Sequence, residues 1–168
     1  EEFIKRYNVG EKISLPNSTL ASVIGGSDKM GGSYFTRAGS LPLNHRGIVV
    51  LEELQKSRDP EILKKLTEIK SSGIAQIGRV SGKVELPCVV RMLSITNPKY
   101  EGSTHKPISS YPNGVEIVTD LVGAAEDIAR FDMIAVSADK ADKPLDFNQT
   151  FAEPYSDVYY QTRIQWAW

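Results

Sequence analysis

Cysteine, histidine and long apolar runs are all scarce in this sequence, and each scarcity closes off a class of function. Cys88 is the only cysteine, so the chain can form no internal disulfide and no thiolate metal cluster. That usage fits a reducing cytoplasm. The two histidines, His45 and His105, lie far apart and at no spacing suited to zinc, so both read as surface or loop residues. No apolar run approaches the roughly 20 residues needed to span a bilayer, which argues against a membrane partner, and no signal-peptide pattern opens the chain. An excess of one charge sign is missing too. The formal net charge of −1 excludes a generally basic nucleic-acid coat but leaves room for a local basic patch.

What remains is the composition of a globular protein. With 40% apolar and 24% charged residues over 168 positions, the chain is long enough for one domain with a hydrophobic core. It opens at "EEFIKRYN" without a methionine and ends at "RIQWAW" within a helical pattern. We therefore expect a piece of a longer protein, with a processed mature chain as the alternative.

Three stretches read as strands: "IVVL" (Ile48–Leu51), "VVRMLSIT" (Val89–Thr96) and "MIAVS" (Met133–Ser137). The first is a short β-branched run typical of a strand buried on both faces. Between the first two, Ile62, Leu63, Leu66 and Ile69 recur at helical spacing, with Asp59 as N-cap and Gly73 as stop. A second helix is expected from about Val118 to Arg130. This alternation predicts an α/β fold, a parallel sheet with flanking helices. Two further stretches read as inserted β-hairpins. One covers about 74–86, with Arg79 and Lys83 near a Ser-Gly turn; the other covers about 20–37, with Lys29 in a glycine-rich tip. From about 151 the chain turns aromatic and reads as the first helix of a further subdomain.

The chemistry-bearing positions are few. "IVVLEE" ends a buried strand in two adjacent carboxylates, Glu52 and Glu53, at the sheet edge where open α/β folds bind ligands. Nucleotide hydrolysis there uses one acidic group to hold Mg²⁺ and another to orient the attacking water. Solvated glutamates opening a loop are the plainer reading of the pair alone. "SITNP" ends the neighbouring strand with Asn97, whose amide can bond both a water and a phosphate oxygen, though an Asn-Pro turn explains it equally. "ARFD" places Arg130 at a helix end before the third strand, able to stabilise charge on a transferring phosphate or simply to meet the helix dipole. The sequence order predicts that acid, amide and guanidinium meet at one rim.

Taken in order, "FTRAGSLPLNHRGIVVLEELQK", "ITNP" and "ARFDMIAV" resemble the minichromosome maintenance (MCM) family of AAA+ ATPases, in register from about Ser14 to Ser137. The resemblance implies a partial AAA+ P-loop NTPase core over 1–150 and the start of a C-terminal helical lid over 151–168. It implies that Glu52 is the Walker B metal-associated residue, Glu53 the water-activating base, and Asn97 the sensor-1 residue at the nucleotide. Arg130 becomes the finger acting on nucleotide held by the adjacent subunit. The hairpin at 74–86 resembles the presensor-1 hairpin and that at 20–37 the helix-2 insert, which in the family grip DNA inside a hexamer. Lys29, Arg79 and Lys83 would then track DNA phosphates by charge. ATP and Mg²⁺ are the implied cofactors, DNA and a homo-hexamer the implied partners, and DNA replication in the cytoplasm or at the nucleoid the implied setting.

The pattern also departs from that family. Position 52 is glutamate where the family has aspartate, and magnesium coordination is geometrically strict. No "GxxxxGK[ST]" phosphate loop occurs in the chain; by the family's order it would lie upstream of Glu1. The parent protein is thus expected to be an ATP-dependent DNA helicase or translocase, and this chain alone to be inactive. A degenerate AAA+ assembly or DNA-binding module, or a sister ATPase of the chelatase or transcription-activator type, stays open. Tyr159, Tyr160, Trp166 and Trp168 are expected to be core residues of the lid rather than base-stacking groups.

Overall fold

The structure is a computed structural model that describes residues 2–79, 82–97, 100–101, 104–105, 110–122, 125–136 and 155–167. Helix α1 (Glu2–Tyr7) leads into β1 (Gly10–Ser14), a 3-10 turn (Leu15–Asn17) and a single helical turn, α2 (Leu20–Val23). A hairpin follows, β2 (Gly25–Met30) and β3 (Ser33–Ala38), and α3 (Ser40–Leu43) returns the chain to β4 (Ile48–Glu52). Helix α4 (Pro60–Ser72), a second hairpin of β5 (Ile74–Arg79) and β6 (Gly82–Pro87), and strand β7 (Arg91–Ile95) come next. The last described elements are β8 (Tyr100–Glu101), β9 (Thr104–His105), α5 (Gly114–Val122), α6 (Ala125–Ile128) and α7 (Asp157–Trp166).

The expected α/β architecture is present: a parallel three-stranded sheet ordered β1-β4-β7, flanking helices and two inserted hairpins. Strand β4 is central because its Val49, Val50 and Leu51 are buried on both faces, the signature of a strand covered front and back. Helix α4 forms as its sequence dictates. The Asp59 side chain accepts from the Glu61 N–H at 3.0 Å, and Gly73 closes the helix at φ 68°. Its Ile62, Leu66 and Ile69 bury against Val49, Leu51, Ala75 and Cys88, each contributing about 1.5–3 kcal/mol by removal from water.

Several elements differ from expectation. Strand β1, "GEKIS", carries one buried residue, Ile13, and exists because it pairs in parallel with β4, Ser14 opposite Glu52. The expected third strand at Met133–Ser137 is not one: residues 133–136 run exposed without strand pairing, and Ser137 lies outside the described residues. Its Ile and Val favour a pleated surface, but pairing decides whether a strand forms. Of the helix expected over Val118–Arg130, the described parts are helical to Val122 (α5) and over Ala125–Ile128 (α6), and residues 123–124 lie outside the described residues. The first hairpin is shorter than 20–37 implied, because Leu20–Val23 is a helical turn with a Thr19–Ser22 capping box. Helix α7 docks on α1 through Arg6 and Asp157 at 2.7 Å and through the Tyr7 and Tyr160 rings, 6.0 Å apart. Trp166, expected in a core, is 83% exposed; Trp168 and the expected boundary at 150–151 lie outside the described residues.

Candidate nucleotide site and hairpin face

The carboxyl edge of the sheet collects three of the chemistry-bearing residues. Parallel pairing places Ser14, Glu52 and Ile95 side by side at the ends of β1, β4 and β7. Glu53 is the next residue beyond β4 and Asn97 lies just past β7, so both carboxylates and the amide occupy one edge. Glu52 is half-buried, with Lys12 Nζ 3.3 Å from its Oε1. Lys12 is a residue that sequence reading missed: its partnership needs β1, which the local pattern does not announce.

Glu53 leaves the strand abruptly, at φ 54° and ψ 48°, in the left-handed region that a residue with a Cβ seldom adopts. Its N–H still donates to the Ile95 carbonyl at 2.8 Å, so the corner continues the β4–β7 pairing for one more bond. Its carboxylate is ion-paired with Lys56 one turn on. The two adjacent carboxylates thus have different partners, Lys12 for Glu52 and Lys56 for Glu53. Asn97 is exposed and borders an apolar cavity of about 430 Å³ between β7 and residues 133–136.

Arg130 is elsewhere. Its Nε donates to Ser71 Oγ at 2.8 Å and its Nη1 to the Glu126 carbonyl at 2.6 Å. Ser71 belongs to the last turn of α4, which starts near the carboxyl edge and runs back along the sheet. Arg130 accordingly shares a cavity with Gly73, Cys88 and Arg91, at the amino end of β7. Arg130 thus stands by the start of β7 while Asn97 lies past its end, with the strand between them. The single-rim expectation therefore fails for the guanidinium, because α4 reverses direction between the two sites. Beside it, Lys70 stands 3.9 Å over the Phe131 ring. Burial lowers the Lys70 pKa, Asp127 opposes that shift and Arg130 adds to it.

The hairpins stand together. Ile77 of β5 is buried and fills the space that a side chain on Gly25 of β2 would need, 2.5 Å from such a Cβ. Lys29 lies within β2, before the Gly31-Gly32 turn, with Nζ 5.7 Å from the centroid of the Tyr34 ring. Lys83 is exposed on β6, opposite Gly78. Arg79 ends β5, and its side chain lies outside the described residues.

Among the described residues no cluster of three or more His, Cys, Asp or Glu side chains can hold a metal by itself. Mg²⁺ commonly takes only one or two carboxylates and completes its shell with water and nucleotide phosphates. A half-buried Glu52 fits that restricted role. No helix among the described residues is long and apolar enough to cross a membrane.

Comparison with known proteins gives a family. Residues 16–133 match the family described as Magnesium chelatase, subunit ChlI. The match spans both hairpins, the Glu52–Glu53 corner, Asn97 and Arg130, and covers well over half of the chain. None of the curated proteins matches it.

Proposed function

Since the chain belongs to the magnesium chelatase, subunit ChlI, family of AAA+ ATPases, we propose that it is the central part of an MCM-like, ATP-driven ring motor that moves on DNA. The observation that carries this reading is the pairing of one carboxylate-and-amide edge with two adjoining hairpins that present lysines. The first is the apparatus for orienting water at a terminal phosphate; the second is an exposed surface for a polyanion.

In this reading Glu53 orients and deprotonates the attacking water, and Asn97 holds that water against a phosphate oxygen. Glu52 would hold Mg²⁺, directly or through water, and the ion would neutralise charge on the phosphates. Arg130, at the far end of β7, serves a nucleotide bound by the next subunit. Its distance from its own carboxylate edge is what a finger acting across a ring interface requires. Lys29, Arg79 and Lys83 contact backbone phosphates without reading sequence.

A chain extended upstream to include a glycine-rich phosphate loop is expected to hydrolyse ATP faster with DNA present, and Glu53→Gln is expected to abolish turnover while ATP still binds. Unchanged turnover in Glu53→Gln would remove the catalytic assignment. The family match favours a second reading, a chelatase-type motor whose hairpins do not serve DNA. ATP turnover indifferent to DNA at any concentration selects that alternative. The chain without a phosphate loop is expected to bind ATP and Mg²⁺ only weakly by isothermal titration calorimetry.

A further inference from the structure

Three residues of α4, Thr67, Lys70 and Ser71, stand at i, i+3 and i+4 and so share one face of the helix. Each meets a residue of the segment 127–131, which carries the Arg130 guanidinium. The Thr67 hydroxyl lies 2.7 Å from Asp127 Oδ1, Lys70 stands over the Phe131 ring, and Ser71 Oγ accepts from Arg130 Nε at 2.8 Å. Phe131 also packs against the hydrophobic core. The chain around Arg130 is therefore anchored by contacts that do not involve its own side chain.

The Ser71 hydroxyl is oriented as well as close. It donates to the Thr67 carbonyl at 3.2 Å, which engages its single proton and leaves a lone pair for Nε. The Arg130 Nη1 donates to the Glu126 carbonyl of α6 at 2.6 Å. Two of the five N–H donors of the guanidinium thus hold it in place. The other three have no partner among the described residues, and Arg130 lines an open cavity of about 490 Å³. A long cationic side chain loses rotamer freedom when it meets a phosphate. Two bonds made beforehand remove part of that loss and fix the direction of approach.

We propose that Ser71 is the positioning residue for Arg130: its hydroxyl holds the guanidinium so that the remaining N–H donors face a phosphate bound by the neighbouring subunit. Ser71 touches no substrate in this arrangement and acts only through Arg130. The inference rests on the reading of Arg130 as a finger and adds to it the residue that presents it.

The test is steady-state ATP turnover by the chain extended upstream to a phosphate loop. Circular dichroism and size-exclusion chromatography confirm that each variant folds and assembles. Alanine is a better helix former than serine, so Ser71→Ala preserves α4. It is expected to lower kcat about tenfold at an unchanged KM for ATP, the mark of a contact made in the transition state. Ser71→Thr, which keeps the hydroxyl, should restore kcat. In an Arg130→Ala background Ser71→Ala should have no further effect. Rings co-expressed from Ser71→Ala and Glu53→Gln chains should turn over faster than the two variants separately, because an intact Arg130 then faces an intact Glu53. A wild-type kcat in Ser71→Ala beside an inactive Arg130→Ala overturns the positioning role and leaves the finger standing. A further loss from Ser71→Ala in the Arg130→Ala background, or no gain in the mixed rings, also overturns it, since the hydroxyl then acts elsewhere. Unchanged turnover in Arg130→Ala, or no turnover by the extended wild type, overturns the finger and its positioning together.

Discussion

The Glu53 N–H donates to the Ile95 carbonyl at 2.8 Å while Glu53 itself stands at φ 54°. The bond ties the corner after β4 to the end of β7, and the chain turns left-handed directly after it. For a residue with a Cβ that conformation costs about 1–2 kcal/mol, and Glu53 recovers a part through its ion pair with Lys56. In the proposed function this strained corner is kept for its carboxylate, at some cost in stability.

Replacing that carboxylate should therefore not harm the fold. Glu53→Gly is expected to match or exceed the wild-type unfolding midpoint in urea, since glycine adopts this conformation without steric cost. Glu53→Val, whose branched Cβ suits it least, is expected to lose about 1–2 kcal/mol relative to the glycine variant. Equal midpoints for glycine and valine would mean that the corner carries no strain.

Lys12 and Glu52, at 3.3 Å, form a pair about one-third exposed, of the kind that contributes about 0–1 kcal/mol. In the proposed function its larger effect is on a cation: the ammonium would compete with Mg²⁺ for the same carboxylate. Lys12→Met is expected to strengthen Mn²⁺ binding at this edge severalfold, measured by electron paramagnetic resonance, with little change in thermal midpoint. Abolition of the gain by Glu52→Gln in the same background would assign it to this carboxylate.

Helix α4 was legible because everything that makes it is local: a capping aspartate, a 3.6-residue apolar period and a closing glycine. The second hairpin was legible for the same reason. Strand β1 was not, because "GEKIS" shows too few apolar residues to announce itself and becomes a strand only by lying against β4. The Lys12–Glu52 pair inherits that invisibility. Arg130 shows a different limit: its motif marks a helix end, but only the course of α4 reveals that this end lies by the amino end of β7, away from Asn97. Residues 133–136 show the converse, a strand-like composition that finds no partner among the described residues.

Gly39 explains part of the "TRAGSL" segment. A Cβ there would sit 2.5 Å from the Val23 carbonyl carbon and 2.6 Å from the backbone of Ile24, and the Gly39 N–H donates to the Ile24 carbonyl at 3.1 Å. The base of the first hairpin is thus pressed main chain to main chain against α2. Gly39→Ala has no flexible side chain to displace, and it is expected to cost several kcal/mol. Size-exclusion chromatography and circular dichroism should show little folded protein. The same substitution at Gly78, which faces open space, should be tolerated.

Ser94 offers a prediction of the opposite sign. It lies on β7 with its Oγ buried and without a hydrogen-bond partner among the described residues, on the face of the sheet that also carries Val49 and Leu51 through the β4–β7 register. An unsatisfied buried hydroxyl costs about 1–3 kcal/mol in desolvation, and Ser94→Ala removes it while leaving only a small gap. The alanine variant is expected to raise stability by about 1 kcal/mol, read as a higher urea midpoint at an unchanged m-value.

Cys88 is 1% exposed, its N–H bonded to the Gly73 carbonyl at 2.7 Å, and burial pushes its thiol pKa up to about 11. The unfolded chain, at the ordinary thiol value of 9.0, loses that proton first as pH rises, so the unfolded state binds fewer protons over this range and is favoured there. The stabilising contribution is complete below about pH 9 and lost as the pH approaches 11. The native protein should resist iodoacetamide at pH 8, because the reactive thiolate is scarce and covered, and should label fully in denaturant. Cys88→Ala separates this thiol from the lysines and tyrosines that titrate in the same range: it is expected to lower stability at neutral pH through the cavity it leaves and to flatten the decline between pH 9 and 11. A decline of unchanged steepness in Cys88→Ala would show that other groups cause it.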